Sequence, residues 1–249
     1  MPFLDIAQTP LAPGVSPARV HFQDIGQGSP IVILHGGWGY DMYPFDQQIA
    51  ALAFRHRFVI PDRSGYGESP SIDALPSDFH RRACDETRLV LDALGLDRPV
   101  VWGHSDGAII ALRLALEAPD RVSAVVAEAS HYFRRKARSR RFFEAVIANP
   151  ASTGIMTLHA RAWLRIGQEA ASDTDDFYDG RLSQLAVPAL VVHGARDPRT
   201  EPGEIDALGR ALSRPSRVEV LNAGHSPHSE DATADEVTRL AAQLIDARS

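Results

Sequence analysis

The sequence has one cysteine, no excess of basic residues and no long apolar run. Cys84 alone cannot form an internal disulfide or a site of several thiolates, which is compatible with a reducing compartment. The 249 residues carry 26 lysines and arginines against 32 aspartates and glutamates, and this formal charge of −6 argues against a nucleic-acid-binding protein. No stretch approaches the roughly 20 apolar residues of a bilayer span, so we expect no membrane association.

The first residues also lack the features of a secretory leader. The stretch MPFLDIAQTPLAPGVSP has neither a basic n-region nor an apolar run of about 7–15 residues. We therefore expect a soluble, cytoplasmic protein. With 44% hydrophobic and 23% charged residues the composition is that of an ordinary globular domain. We expect one domain that needs no metal or disulfide to hold its core.

Short apolar runs alternate with helical patterns along the chain. Strands are predicted over 20–28, 30–37, 54–65, 99–105, 121–130, 188–197 and 217–225. Helices are predicted over 77–95, 106–119 and about 231–247, with a further helical piece at 156–166. This alternation predicts a doubly wound α/β sheet.

Residues 131–187 interrupt the alternation with basic, Gly/Ser-rich and acidic stretches. We interpret them as a lid inserted over the carboxyl edge of the sheet, where open α/β sheets place their sites. The predicted organisation is a core of residues 1–130 and 188–249 with a lid at 131–187.

A G-x-S-x-G pentapeptide, residues 103–107, lies between a predicted strand and a predicted helix. Its glycines permit a tight turn that lifts the hydroxyl of Ser105 clear of the sheet. Because the helix begins at the serine, its N-terminal amides face any negative charge that develops there. We predict that Ser105 is a nucleophile, and the alternative is a glycine-rich structural turn.

A serine nucleophile needs a general base and an acid that orients the base. The expected chain order is serine, acid, histidine. Asp197 and His225 each follow a predicted strand, at the same edge of the sheet as Ser105. We predict that His225 takes the serine proton and that Asp197 holds its other ring nitrogen. The alternative for Asp197 is a turn-capping role before Pro198.

Four further residues compete for these roles. His228 is a second candidate base, and Glu128 is a second candidate acid. His193 lies inside a predicted strand and is interpreted as a packed core histidine. The side chain of His104 should point away from the pocket.

Acyl transfer also needs donors for an oxyanion. We predict that the backbone amides of Gly37 and Asp106 form this oxyanion hole, with Trp38 as the neighbouring alternative to Gly37. The run HGGWG at 35–39 could instead be a loop that merely needs positive φ angles. The loop DRSGYGES at 62–69 is given a structural role in the wall of the site.

No metal or cofactor site is predicted. Histidines 225 and 228 are close in sequence, but a hydrolytic metal site needs three protein ligands and a free position. The chain shows neither a phosphate loop nor a dinucleotide fingerprint. A small molecule is the expected partner, and nothing in the sequence indicates an oligomeric state.

Taken together, five motifs resemble the α/β-hydrolase fold family. HGGWG, DRSGYGES, GHSDG, HGARDP and the late GH follow the order of the family and cover most of the chain. The resemblance implies an eight-stranded, mostly parallel sheet and a lid between the sixth and seventh strands. It also implies a Ser–Asp–His triad, which maps onto Ser105, Asp197 and His225.

Within this family the chain is similar to the valacyclovirase, or biphenyl hydrolase-like, branch. The similarity lies in residues 105–107, the DRSGYGES loop and HGARDP. In that branch the aspartate after the nucleophile binds a substrate ammonium group, which suggests Asp106 as a selector for aminoacyl esters. Trp38 is the other predicted substrate-binding residue. The alternative for Asp106 is an interaction with the helix dipole of about 0.3–1 kcal/mol.

The lid gives a contrary indication because it is basic. Six cations lie within eight residues, namely Arg134, Arg135, Lys136, Arg138, Arg140 and Arg141. They could attract an acidic substrate and would repel an amine. We prefer a solvated lid balanced by Asp173, Asp175, Asp176 and Asp179. The lid aromatic residues could line the pocket or simply pack, and these are Tyr132, Phe142, Phe143 and Trp163.

These residues predict a cofactor-independent serine hydrolase that cleaves a small carboxylic ester, with a lactone or an aminoacyl ester among the candidates. The reaction passes through an acyl-enzyme on Ser105. Two alternatives stay open. One is a carbon–carbon bond hydrolase or lyase that uses the same triad on an acidic ketone. The other is a ligand-binding receptor on a hydrolase scaffold.

Overall fold

The apolar runs of the sequence form one eight-stranded sheet in the computed structural model, which describes residues 2–152 and 154–248. The strands are β1 (Phe3–Ile6), β2 (Ala18–Gly26), β3 (Ser29–Leu34), β4 (His56–Pro61), β5 (Val100–His104), β6 (Ala124–Glu128), β7 (Ala189–Gly194) and β8 (Arg217–Leu221). Their order is β1-β2-β4-β3-β5-β6-β7-β8. β2 pairs antiparallel with β1 and β4, and the other neighbours are parallel. The predicted sheet is confirmed.

The central strands are mostly apolar because both faces of the sheet are covered. In β3, Ile31 and Ile33 contribute to the core on one face, while Val32 and Leu34 contribute to the core on the other. Successive side chains of a strand point to opposite faces, so a strand covered on both sides reads as a continuous apolar run.

Helices form the two covering layers. They are α1 (Asp46–Leu52), α2 (Phe79–Ala93), α3 (Asp106–Glu117), α4 (Ala137–Ala148), α5 (Ile155–Glu169), α6 (Glu204–Ala211) and α7 (Ala234–Asp246). α1 and α7 pack together on one face, and α2 and α3 on the other. None of the helices in the described parts of the chain is long and apolar enough to cross a membrane.

The predicted helices 77–95, 106–119, 156–166 and 231–247 correspond to α2, α3, α5 and α7. The sequence patterns miss the short elements β1, α1 and α6, and they miss α4. In α4 only Ser139 and Phe143 are buried, so its apolar spacing is hidden among arginines.

Residues 131–187, which we call the cap, connect β6 to β7 and contain α4 and α5. The two helices pack against each other, and the rings of Phe143 and Trp163 stack with centroids 5.7 Å apart. The division into a core and a lid stays a prediction. Its ranges include residues 1, 153 and 249, which lie outside the described residues.

Candidate active site

Ser105 occupies the sharp turn between β5 and α3. Its backbone has φ 55° and ψ −116°, a conformation that residues with a side chain rarely adopt. A Cβ on Gly103 would lie 2.1 Å from the carbonyl oxygen of Gly107, and a Cβ on Gly107 would lie 1.9 Å from that of Leu34. The turn therefore needs both glycines, and it carries Ser105 beyond the end of the sheet.

The structure brings the three predicted triad residues together. The Ser105 Oγ lies 3.1 Å from His225 Nε2, and His225 Nδ1 lies 2.8 Å from Asp197 Oδ2. Each residue follows the carboxyl end of a parallel strand, namely β5, β7 or β8. With Nδ1 donating to Asp197, the neutral imidazole presents Nε2 as an acceptor for the serine hydroxyl. This arrangement can remove a proton from Ser105.

Burial and hydrogen bonds together set the charges of His225 and Asp197. Burial lowers the pKa of His225, although the hydrogen bond to Asp197 opposes this effect. Burial acts to raise the pKa of Asp197. The hydrogen bonds from His225 and from the Arg199 amide outweigh it and keep this pKa below its usual range. A neutral imidazole beside an ionised carboxylate is the pairing that a general base requires.

The competing base and acid bind each other instead of Ser105. His228 Nδ1 lies 3.0 Å from Glu128 Oε2, and both side chains are fully buried. The indole of Trp102 donates to the other oxygen of Glu128 at 2.6 Å. This second histidine–carboxylate pair is part of the core.

His104 and His193, the other two histidines considered beside the triad, also have packing roles. The Nε2 atom of His104 lies 3.0 Å from the carbonyl oxygen of His225 and 3.1 Å from Ser226 Oγ. These contacts hold the backbone segment that carries the triad histidine. His193 is fully buried in β7.

The loop at 62–69 donates hydrogen bonds to the backbone of the glycine loop that follows β3, residues 35–39. Arg63 donates to the carbonyl oxygens of His35 and Gly36 at 3.1 and 3.4 Å, and Tyr66 donates to that of Gly37 at 2.9 Å. Because a trans peptide places its C=O and N–H on opposite sides, the amide of Gly37 points away from Arg63. The role of Gly37 and Asp106 amides as an oxyanion hole stays a prediction that this orientation supports.

The carboxylate of Asp106 is occupied by the protein itself. Its oxygens lie 3.0 Å from His80 Nε2, 2.6 Å from His159 Nε2 and 3.2 Å from Trp163 Nε1. The residue is 1% exposed, and its role in binding a substrate ammonium group stays a prediction. Burial acts to raise the pKa of Asp106, but His159 and His80 outweigh it and hold this pKa well below its usual range.

His80 and His159 are site residues that the sequence patterns miss. They lie 26 and 53 residues from Asp106, on α2 and α5. The one available signal is that each histidine stands among the buried residues of an amphipathic helix. A polar group in such a place needs a buried partner.

Ser105 faces a small enclosed space. The cavity has a volume of about 10 Å³, room for about one water molecule. It is lined by Ser105, His131, Lys136, Ser139, Phe143, His159, Trp163 and Arg199. Four of these residues belong to the helices α4 and α5. The cap therefore confines the space in front of Ser105.

A wider space, which we call the outer groove, lies beside this cavity and has a volume of about 400 Å³. It is lined by Trp38, Met42, Tyr43, Phe142, Ala145, Val146, Asn149, Ser152, Met156 and Arg199. Predicted pocket residues thus divide between two spaces. Phe143 and Trp163 line the Ser105 cavity, whereas Trp38 and Phe142 line the outer groove. Tyr132 packs against Phe133 and Tyr178.

Four of the six cations at 134–141 have acidic partners. The ion pairs are Arg134 with Asp175, Arg135 with Asp173, Lys136 with Glu204 and Arg140 with Glu144. Asp179 pairs instead with Arg81 and Arg113, and Asp176 accepts hydrogen bonds from backbone amides. Two of the four predicted aspartates therefore balance the basic segment.

The described residues contain no group of three or more histidine, cysteine, aspartate or glutamate side chains arranged to hold a metal ion. The chemistry that the site offers is that of its hydroxyl, imidazole, carboxylate and guanidinium groups.

Comparisons with known proteins agree with this architecture. A family model described as the alpha/beta hydrolase fold matches residues 29–153. Haloalkane dehalogenase 2 of Mycobacterium tuberculosis is 34% identical over 139 residues, which are 54% of this chain and 46% of the relative. The 2-hydroxy-6-oxo-6-phenylhexa-2,4-dienoate hydrolase of Burkholderia cepacia is 34% identical over 124 residues, 45% and 40% of the two chains. The chain spans less than half the length of these two relatives.

A solved structure extends the likeness over the whole fold. A thermophilic esterase from Thermogutta terrifontis aligns over 100% of both chains with a TM-score of 0.72 and 20% sequence identity. At this identity the likeness shows the fold alone.

Proposed function

The chain belongs to the α/β-hydrolase fold family, and from this premise we propose that it is a serine hydrolase that cleaves a small carboxylic ester. The observation that carries the proposal is the hydrogen-bonded line from the Ser105 hydroxyl through His225 to Asp197. An ester fits this line because its carbonyl carbon accepts an alkoxide and its alcohol leaves with one proton.

In the first half of the reaction, the Ser105 oxygen bonds to the carbonyl carbon while His225 Nε2 takes the hydroxyl proton. The carbonyl oxygen becomes an oxyanion, which the amides of Gly37 and Asp106 stabilise. When the tetrahedral intermediate collapses, the bond to the alcohol oxygen breaks. The imidazolium of His225 then gives its proton to the departing alcohol, and the acyl group stays on Ser105.

In the second half, water replaces the alcohol. His225 takes a proton from water, whose oxygen attacks the acyl carbon through the same oxyanion geometry. The bond to Ser105 breaks, and the proton on His225 returns to the serine oxygen. The products are one carboxylic acid and one alcohol, and Asp197 stabilises the transient imidazolium in both halves.

The test is hydrolysis of p-nitrophenyl acetate by the wild type and by Ser105→Ala. We expect loss of the nucleophile to lower kcat by a factor of about 1,000 or more. Ser139→Ala is the matched control, because Ser139 lines the same cavity but makes no hydrogen bond within the described structure. Its kcat should stay within a few-fold of the wild type.

Equal rates for the wild type and Ser105→Ala would overturn the proposal. An absence of turnover in both, together with a ligand-dependent rise in Tm, would favour the ligand-binding receptor.

A carbon–carbon bond hydrolase is the second candidate, and the match to the dienoate hydrolase of Burkholderia cepacia favours it. Arg134 and Arg135, two of the six lid cations that could attract an acidic substrate, pair with Asp175 and Asp173. Incubation with 2-hydroxy-6-oxo-6-phenylhexa-2,4-dienoate followed by product analysis separates the two functions. Cleavage of this ketone without turnover of simple esters would favour the second candidate.

A further inference from the structure

Arg199 lies where the Ser105 cavity meets the outer groove, and it lines both spaces. It belongs to the loop between β7 and α6, two residues after Asp197. Its backbone amide donates to Asp197 Oδ1 at 2.9 Å. The backbone therefore supports the triad, while the side chain is directed toward the space that a substrate would occupy.

Two aromatic rings hold the guanidinium of Arg199. Its central carbon lies 4.7 Å from the ring centroid of Phe142 and 5.9 Å from that of Trp38. Phe142 comes from the cap and Trp38 from the loop after β3. Stacking of this kind fixes the plane of a guanidinium and leaves its N–H groups free to donate sideways.

Arg199 lacks an acidic partner among the described residues, unlike three nearby cations of the cap. Lys136, the second cation that lines the Ser105 cavity, pairs with Glu204. Arg135 and Arg140 on the outer side of the cap pair with Asp173 and Glu144. In the described parts of the chain, the Arg199 guanidinium has neither a carboxylate within ion-pair distance nor a hydrogen-bond acceptor.

An unpaired guanidinium in this place is costly. Burial lowers the pKa of Arg199, and nearby Tyr43, Asp197 and Asp106 only partly oppose this effect. Proteins tolerate a partly buried charge without a partner mainly where a ligand supplies the opposite charge.

We propose that Arg199 binds a carboxylate of the substrate, so that the site takes half-esters of short dicarboxylic acids. The planar fork of the guanidinium suits the two oxygens of a carboxylate. The apolar part of the substrate extends along the outer groove, between Trp38 and Phe142. This proposal rests on the proposed ester hydrolysis. It assigns the opposite charge to the substrate from the one that an ammonium site at Asp106 would select.

The test compares two ethyl esters of the same shape. Monoethyl succinate carries the carboxylate, and ethyl 4-methylpentanoate replaces it with an uncharged isopropyl group. Acid release is titrated at constant pH, and kcat/KM is measured for both esters. The wild type should prefer the charged ester, and Arg199→Gln should lower the ratio of charged to neutral kcat/KM by about 10- to 100-fold, the usual contribution of hydrogen bonds to a charged group. Arg199→Lys should keep part of the preference.

Arg141→Gln is the matched control. It removes one cation from an exposed position of α4 that lines neither space. Its ratio should equal that of the wild type, and an equal fall would mean that the preference comes from long-range attraction. An equal loss for both esters in Arg199→Gln would mean that the side chain only supports the loop of Asp197. Either result would overturn the proposal.

Calorimetry separates a failure of this proposal from a failure of the proposed function. Monoethyl succinate should bind to Ser105→Ala, and the binding should be lost in Ser105→Ala/Arg199→Gln. Binding of this pattern without turnover by the wild type would contradict ester hydrolysis and keep the anion site. Turnover of both esters with equal kcat/KM would contradict the anion site and keep the hydrolase. Failure of monoethyl succinate to bind at all would overturn the anion site.

Discussion

His225 is a base whose strength is set by two opposing neighbours, the apolar interior and Asp197. Because burial lowers its pKa from the ordinary 6.5, the imidazole is mostly neutral at pH 6.5 and above. Only the neutral form can accept the serine proton.

We therefore expect kcat/KM for p-nitrophenyl acetate to fall on the acid side with a midpoint below pH 6.5, the ordinary histidine value. The value of kcat/KM should rise through this midpoint and level off above it, toward neutral pH. The profile is recorded at the isosbestic wavelength of nitrophenol, so that the signal does not itself titrate. In Asp197→Asn the acid midpoint should move lower still, because the group that favours the imidazolium is gone. A midpoint above that of free histidine would contradict the assigned environment of His225.

The carboxylate of Asp106 is expected to stabilise the fold. Asp106→Asn keeps the shape of the side chain but replaces an ionised acceptor of three hydrogen bonds by a neutral amide. The free energy of unfolding at neutral pH should fall by about 1–3 kcal/mol. The folded-state pKa of Asp106 is depressed, so its contribution is present above the unfolded value of 3.8 and is lost as pH falls through the lower folded value.

Urea unfolding at neutral pH measures this difference. Asp173→Asn serves as the control, because Asp173 is highly exposed in its ion pair with Arg135 and should contribute less than about 1 kcal/mol. A similar loss in both variants would show that the burial of Asp106 has no special consequence for stability.

At the residue scale, the three triad side chains are predictable because each follows a predicted strand within a short motif. The environment of Asp106 is not predictable from local patterns, because its partners come from two helices far away in the chain. Local sequence patterns likewise do not indicate Arg199 as a site residue. Its lack of a partner can be recognised only when the positions of all nearby carboxylates are known.

Among the elements, α5 and the loop after β3 are in close contact at Gly37. A Cβ at this position would lie 2.0 Å from Nε2 and 2.3 Å from Cε1 of His159. The glycine is thus needed for the cap helix to approach the predicted oxyanion hole.

Gly37→Ala should displace either the loop or α5 and lower kcat by about 10²–10³-fold, the usual effect of losing one oxyanion donor. Steady-state kinetics with p-nitrophenyl acetate measures this loss. In the double variant Gly37→Ala/His159→Ala the collision is removed, so part of the activity should return. Gly209→Ala on α6 is the control, because its Cβ would meet only ordinary contact, 3.7 Å from Val218 Cγ2. A Gly37→Ala enzyme with full activity would mean that the loop tolerates the methyl group.

The elements with the strongest patterns are those that the sequence predicts. β5 is buried throughout, β3 is buried over residues 31–34 and α3 over residues 106–115, and their sequences are rich in apolar residues. α4 presents one narrow buried stripe among arginines, and α6 is only eight residues long, so neither gives a clear period. In the cap, α4 is therefore hard to predict, whereas the pattern at 156–166 indicates α5.

Over the whole molecule, the sheet separates two apolar cores and places the triad at the carboxyl ends of β5, β7 and β8. The alternation of strands and helices is visible in the sequence, whereas the order of the strands in the sheet comes from the structure. The size of the space above Ser105 cannot be predicted from the sequence, because it depends on how closely the cap packs on the core. Under the proposal above, substrate choice is decided in that space, at Arg199 and the outer groove.

The network around Asp106 also has a consequence for how this sequence can change over generations. A carboxylate at position 106 is stable inside the protein only while His80 and His159 donate to it, and a buried imidazole is equally costly without its acceptor. A single replacement at any of these positions removes at least one hydrogen bond from this buried network, in which Trp163 is the third donor to Asp106. The three positions should therefore vary together among related sequences, and the cap helix that carries His159 is inherited together with its partners in the core.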